Sequence, residues 1–227
     1  MAAIMIGIAS CWRNKMKPST EIQNYIETKI LPRYGELGGH TGDHIDYVIS
    51  RSLRFAEQAP GVNIDMVYII AAYHDLGRLI DNETHNFESA KMLRNDGFLK
   101  AHFSPDEIET MAEAVEDHRA SLGREPRSVY GKIVSSADRD INFENMLSRV
   151  FDYTRHIHPK MTEEEVLEEA RIHLREKYAK GGYALKTMYF DDPDFNSTVD
   201  AVENATRDFG TFSKIMREHN VKRGLRN

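Results

Sequence analysis

The stretch Ala71-Ala72-Tyr73-His74-Asp75-Leu76-Gly77-Arg78 ends an apolar helical run on an imidazole and a carboxylate side by side. As a dipeptide the pair carries little, because with 10 histidines among 227 residues chance alone supplies about one His-Asp. Its setting carries more. Val67, Ile70, Ala71 and His74 follow the i, i+3, i+4, i+7 spacing of one helix face, so His74 shares the face that the apolar residues bury. Asp75 stands about 100° further round the helix. A carboxylate is costly to bury there unless a cation or a donor compensates it. Gly77 is expected to let the chain leave the helix, which brings both side chains to its C-terminal rim. We therefore read the pair as the centre of a metal site.

Outward from it, helical signals dominate and strand signals are nearly absent, so the fold class expected is all-α. Ser19 or Thr20 can cap a helix to about Leu31, after which Pro32, Gly35, Gly38 and Gly39 make a loop. From Asp43 a second helix carries Ile45, Val48, Ile49, Leu53 and Ala56 on one side and ends near Pro60-Gly61. Asn63 can cap the helix that delivers His74, and Thr84 can cap another that stops at Gly97, with His85 in its first turn. Ser104-Pro105-Asp106-Glu107 reads as a capping box with proline at N1. In the helix it opens, Ile108, Met111, Val115 and His118 share a face, so His118 points inward. Tyr130, Val134, Asp138 and Ile141 share the next face, which makes Asp138 a second inward carboxylate.

Thr162-Glu163-Glu164-Glu165 is another capping box, before a helix acidic at its start and basic at its end (Arg171, Arg175, Lys177). Gly181-Gly182 breaks that helix, and Asp191-Asp192-Pro193-Asp194 forms a polar loop. A final amphipathic helix from about Ser197 repeats Val202, Ala205, Phe209, Phe212 and Met216. No repeat, low-complexity segment or linker is evident. The organisation expected is an N-terminal extension at 1–18, a metal-binding helical core at 19–155, and a C-terminal helical part at 156–227 packed on the same domain.

Hydrophobic content of 41% and charged content of 29% are those of an ordinary globular chain. A net charge of −6 argues against nucleic-acid or anionic-membrane partners. One cysteine, Cys11, allows no internal disulfide and suits a reducing compartment. Met1 to Trp12 is rather apolar, but no positive charge precedes it and it is too short to span a bilayer. It reads as a cytoplasmic extension.

His44, His74 with Asp75, His85, His118 and Asp138 thus come from separate segments. Imidazole and carboxylate without thiolate suit one or two divalent ions of manganese, iron, cobalt, nickel or zinc. Ionisable groups on several apolar faces would each cost several kcal/mol, of order 3–5, if left unpaired, which favours a joint site.

These segments resemble the motif series of HD-domain metal-dependent phosphohydrolases. His40-Thr41-Gly42-Asp43-His44 resembles their HxxxH opening, in which the second histidine is the ligand. His74-Asp75 with Leu76-Gly77-Arg78 is similar to their HDxGK element, His85 with Glu88-Ser89-Ala90 to the HxxxSA element, and Ser136-Ala137-Asp138-Arg139-Asp140 to the closing aspartate segment. The resemblance spans about 20 to 150. It implies a compact multi-helix HD-domain bundle with additional C-terminal helices. It further implies that His44, His74, Asp75 and Asp138 hold one metal, and that His85 and His118, with Asp75 bridging, hold a second. The activity implied is hydrolysis of a phosphate ester or anhydride of a small phosphorylated substrate, a nucleotide being expected.

Relatives that hydrolyse ppGpp or deoxynucleoside monophosphates carry a glutamate where this chain has Arg78, a departure that points away from those substrates. Arginine there suits a bidentate grip on phosphate, so Arg78 is assigned to catalysis with Asp75 and to substrate binding with Arg139 and Lys177. Two other readings stand beside this one. The ligand set also resembles the mixed-valent di-iron oxygenases of the superfamily, such as myo-inositol oxygenase, and a regulatory, non-catalytic HD domain is the third. Charged faces in the last third leave room for a homodimer.

Overall fold

The computed structural model describes residues 17–37 and 41–225. His40, Cys11 and nearly all of the N-terminal extension lie outside the described residues. Among those described there are eleven α-helices and no strand, as the helical patterning predicts. No helix among them is long and apolar enough to cross a membrane. The chain divides into two compact units between Asp138 and Arg139.

The first unit is built around one helix. Helix α1 is Thr20–Tyr25, α2 is Thr41–Ala56, α3 is Ile64–Tyr73, α4 is His85–Asn95, α5 is Gly97–His102, α6 is Pro105–Glu116 and α7 is Val129–Ala137. Every residue of α3 from Met66 to Tyr73 is buried. The apolar stripe containing Val67 and Ile70 is thus part of a helix buried on all sides. α2, α6 and α7 pack on α3, and α4 packs on α6. Burying Ile69 or Ile70 contributes roughly 1.5–3 kcal/mol each over leaving the side chain exposed.

Local chemistry explains where elements start. The Asn63 side chain accepts the Asp65 N–H at the start of α3, and Ser104 with Glu107 forms both halves of the capping box of α6. Two expectations from sequence are corrected here. After Tyr25 the chain does not leave the helix at Pro32 but passes through a π turn at Ile26–Ile30 into a 3₁₀ segment at Leu31–Leu37. Ile22, Ile26, Ile30 and Tyr34 recur every four residues and are all buried, so winding continues although Pro32 lacks an N–H. Gly97, expected as a stop, instead starts α5, because the Asp96 side chain accepts the Phe98 and Leu99 N–H groups.

The second unit contains α8 (Phe143–Ile157), α9 (Glu163–Tyr178), α10 (Pro193–Ala205) and α11 (Phe209–Lys222). Its core joins Leu147 and Phe151 of α8, Val166, Leu167 and Leu174 of α9, Val202 of α10, and Phe212 and Met216 of α11. The expected single final helix is two. Asp208 accepts the Thr211 N–H and caps a fresh helix, while the Arg171 guanidinium donates to the Thr206 carbonyl at 2.9 Å where α10 ends. Asp192 likewise caps α10 with Pro193 at its first position, so that polar run begins a helix rather than forming only a loop.

A 3₁₀ turn, Leu76–Leu79, follows α3 and lies against α4. Gly77 is required there by close approach rather than by an unusual backbone angle. A Cβ on it would lie 2.2 Å from the His85 carbonyl oxygen and 2.6 Å from the Ser89 nitrogen, both main chain. Gly77→Ala should therefore cost about 2–3 kcal/mol, read as a lower urea midpoint; an unchanged midpoint would show that the turn and α4 can part freely.

Candidate metal centre

The centre forms where the ends of several elements of the first unit converge. His74 caps the C-terminus of α3, with φ −52° and ψ −39°, and Asp75 follows at φ −107° and ψ 2°. Two bonds fix this end of the helix. The Tyr34 hydroxyl donates to the Ala72 carbonyl at 2.9 Å, and the Gly77 N–H donates to Ser89 Oγ at 2.7 Å. His44 comes from the first turn of α2, His85 is the first residue of α4, and His118 lies two residues beyond α6. Asp138 is the C-cap of α7 rather than a mid-helix residue. Its N–H closes the last turn by donating to the Val134 carbonyl at 2.9 Å, and Arg51 Nη1 holds the adjoining Ala137 carbonyl at 2.8 Å.

Three of the histidines are oriented in the same way. Nδ1 lies 2.8 Å from the Ala71 carbonyl in His74, 2.8 Å from the Asn82 carbonyl in His85 and 2.7 Å from the Val115 carbonyl in His118. In each case the carbonyl belongs to the residue three positions earlier. A carbonyl only accepts, so Nδ1 carries the proton and the Nε2 lone pair is turned into the centre. This is the orientation expected of imidazole ligands to a metal.

Asp75 joins two groups. Its Oδ2 lies 3.7 Å from His44 Nε2 and 3.7 Å from His74 Nε2, while its Oδ1 lies 3.2 Å from His85 Nε2 and 3.7 Å from His118 Nε2. Asp138 Oδ1 completes the first group, 3.3 Å from His44 Nε2 and 3.8 Å from His74 Nε2. The donor atoms of His44, His74 and Asp75, and those of Asp75, His85 and His118, each lie within 4.8 Å of one another. His74 Nε2 and Asp75 Oδ1 are buried and form no hydrogen bond. Buried polar atoms left so are costly, and a cation among these donors would satisfy both, so the residues present fit a divalent metal.

The protonation states agree with that fit. Burial pushes His74 below the ordinary imidazole range, and burial with the neighbouring His74 pushes His118 down to about 3. Burial alone would raise the Asp75 carboxyl, but its neighbours, of which Arg78 is the permanent cation, hold it well below the usual carboxylate range. Neutral His74 and His118 beside an ionised carboxylate are what a metal requires of its ligands.

The six expected ligands thus come together, and Arg78 stands beside them, its Nε 2.9 Å from Asp75 Oδ2. The open side of the centre is marked by exposure. The side chains of His44, Asp138 and Arg78 are 32%, 22% and 35% exposed, against 0% for His74 and 2% for His118. Arg139 and Lys177 belong to the second unit, where Arg139 is buried and the Lys177 ammonium lies 5.1 Å over the Tyr178 ring.

Several supports of the site are not among the residues singled out from sequence. Asp117, next to His118, is fully buried and accepts from Arg124 Nη2 at 2.6 Å, Arg127 Nη2 at 2.8 Å and the Arg127 N–H at 2.8 Å. This clasp closes the loop that carries His118. An acid beside an inward histidine, followed by Arg124 and Arg127, is the signal that could have found it. Tyr34 and Arg51, which hold carbonyls beside His74 and Asp138, give no such signal, because their roles depend on long-range contacts.

No curated protein and no solved structure matches the chain in comparison. One family model does match, that of the HD domain, and it spans residues 41–142. The superfamily to which that domain belongs is one of metal-dependent phosphohydrolases, whose members bind divalent metals. The match contains all six converging side chains, and over residues 41–142 the chain is similar to the HD domain, consistent with a protein of that superfamily.

Proposed function

We propose that the HD domain hydrolyses a phosphate ester or anhydride of a small molecule, a nucleotide being the expected class, with water activated by one or two divalent transition-metal ions. The observation that carries this reading is the placement of Asp75, whose two oxygens face two separate pairs of imidazole nitrogens. His44, His74, Asp75 and Asp138 would hold one ion, and Asp75, His85 and His118 a second. When bound, a divalent cation supplies Lewis acidity, lowering the pKa of water toward neutrality and withdrawing charge from a phosphoryl oxygen.

The chain's own groups supply the rest. The carbonyls of Ala71, Asn82 and Val115 keep the imidazole rings from rotating. Phosphate would approach from the side of His44, Asp138 and Arg78, where the side chains are partly exposed. Arg78 offers its guanidinium to the phosphate there while its Nε stays beside Asp75. Burial of His74, His85 and His118 keeps bulk water from the inner donors.

Asp75→Ala should abolish metal binding and phosphatase activity while the far-ultraviolet circular dichroism stays helical, and full activity in that variant would sink the assignment. With manganese or cobalt, His118→Ala should lose one of two metal equivalents by elemental analysis; unchanged metal content would reduce His118 to a core residue. Oxygen uptake that requires bound iron, with no phosphate released from any ester or nucleotide, would replace hydrolysis with oxygenase chemistry.

Acid should weaken the chelated protein through His118. Its folded pKa is depressed to about 3 from a reference of 6.5, so the unfolded chain binds the proton first as pH falls. The stability it contributes is complete above about 6.5 and is lost toward about 3, by at most about 1.4 kcal/mol per pH unit. Urea unfolding of chelated protein at stepped pH checks this, and a flat profile across the window would mean that the ring titrates freely.

A further inference from the structure

Helices α8 and α11 of the second unit bring together a hydroxyl, an imidazole and a carboxylate that the metal centre does not use. Ser148 Oγ lies 2.8 Å from His219 Nε2, and His219 Nδ1 is hydrogen-bonded to Glu144 Oε2. Glu144 and Ser148 are one helical turn apart on α8, and His219 faces both from α11. The imidazole is buried, Ser148 is partly exposed and Glu144 is exposed. The Lys222 ammonium lies 4.0 Å from the second Glu144 oxygen.

An ionised carboxylate only accepts, so Nδ1 carries a proton, and in the neutral ring Nε2 is the acceptor that faces Ser148. The Ser148 proton has a rival acceptor, the Glu144 carbonyl at 3.1 Å. The contact to Nε2 is the shorter, close to the preferred length for a hydroxyl donor. A nucleophile within hydrogen-bond reach of a base that a third group orients is the arrangement of nucleophilic catalysis. The seam does not depend on it for cohesion, because Leu147, Phe151, Phe212 and Met216 are buried together there and Arg223 pairs with Asp152 at 2.6 Å.

We propose that Ser148, His219 and Glu144 form a second reactive site, in which Ser148 Oγ accepts an acyl group from an activated ester. The Oγ–C bond forms as the hydroxyl proton passes to His219 Nε2. The bond from the carbonyl carbon to the leaving oxygen then breaks, and that oxygen takes the proton, giving acyl-Ser148 and a free alcohol. Base assistance is worth about 10²–10⁴-fold, so the reaction expected is stoichiometric acylation with slow release rather than rapid turnover.

The probe is p-nitrophenyl acetate, added to the full-length chelated protein, with p-nitrophenol release followed by absorbance and the adduct located by peptide mass spectrometry. The expected result is one acetyl group on Ser148, absent from Ser148→Ala and from urea-unfolded protein, and formed at least about 100-fold more slowly in His219→Gln. Glu144→Gln, altered at an exposed position, should slow it about tenfold or more with circular dichroism unchanged, which guards against loss of folding in the histidine variant. Equal rates in Glu144→Gln and the parent, adducts confined to other residues, or no adduct above the unfolded control would each overturn the site. Acylation at the same rate with and without added manganese supports a site separate from the metal centre, and a rate that requires the metal would overturn it.

Discussion

Asp75 is an ionised carboxylate almost wholly buried, at the end of a helix that is apolar on every side. In such surroundings an uncompensated charge costs several kcal/mol, of order 3–5, a large share of the stability of a typical domain. The neighbouring structure answers that constraint. Arg78 gives one oxygen a cation, and imidazole nitrogens approach both oxygens. The hydroxyl of Tyr34 and the amide of Gly77 fix the main chain on either side. A site built this way is rigid because relaxing any part of it would expose or strand that charge.

The same constraint explains why the turn after α3 and the start of α4 touch without side chains between them. His85 reaches Asp75 only because Gly77 lets the two main chains meet. Further back, the ion pairs of Arg94 with Glu109 and Glu116, and of Arg127 with Glu113 and Glu116, tie α4, α6 and the following loop together. Exposed pairs of this kind contribute little singly, about 0–1 kcal/mol each. Joined to the buried Asp117 they fix the direction in which the chain leaves α6, and hence where the His118 ring sits.

Much of this is legible in the sequence, and what is not has a physical cause. Helical periodicity reports which face is buried, so His74 and His118 can be placed inward from their apolar neighbours, and Asp138 from Val134. It does not report what happens past a helix end. Asp138 is a cap rather than a mid-helix residue, Gly97 a start rather than a stop, and the run through Phe209 two helices rather than one. Gly97 and the break before Phe209 are each decided by one carboxylate accepting from main-chain N–H groups, two at Asp96 and one at Asp208, a competition that composition and spacing do not resolve. Gly77 stands out in the sequence as a helix exit, whereas the reason for it, the proximity of α4, is a tertiary fact. The relay of Ser148 with His219 is invisible in the sequence because its partners lie 71 residues apart.

The ring anchors of His74, His85 and His118 are main-chain carbonyls, each three residues before its histidine. In many metal proteins such anchors are carboxylate side chains, which one base change can remove. Here any residue at positions 71, 82 or 115 presents the same oxygen, so the orientation of the rings is insulated from substitution at those positions. Only changes that bend the backbone can disturb it. The orientation of these rings can therefore persist through any change of side chain that the packing tolerates, which is a wide choice at the exposed Asn82 and a narrow one at the buried Ala71 and Val115.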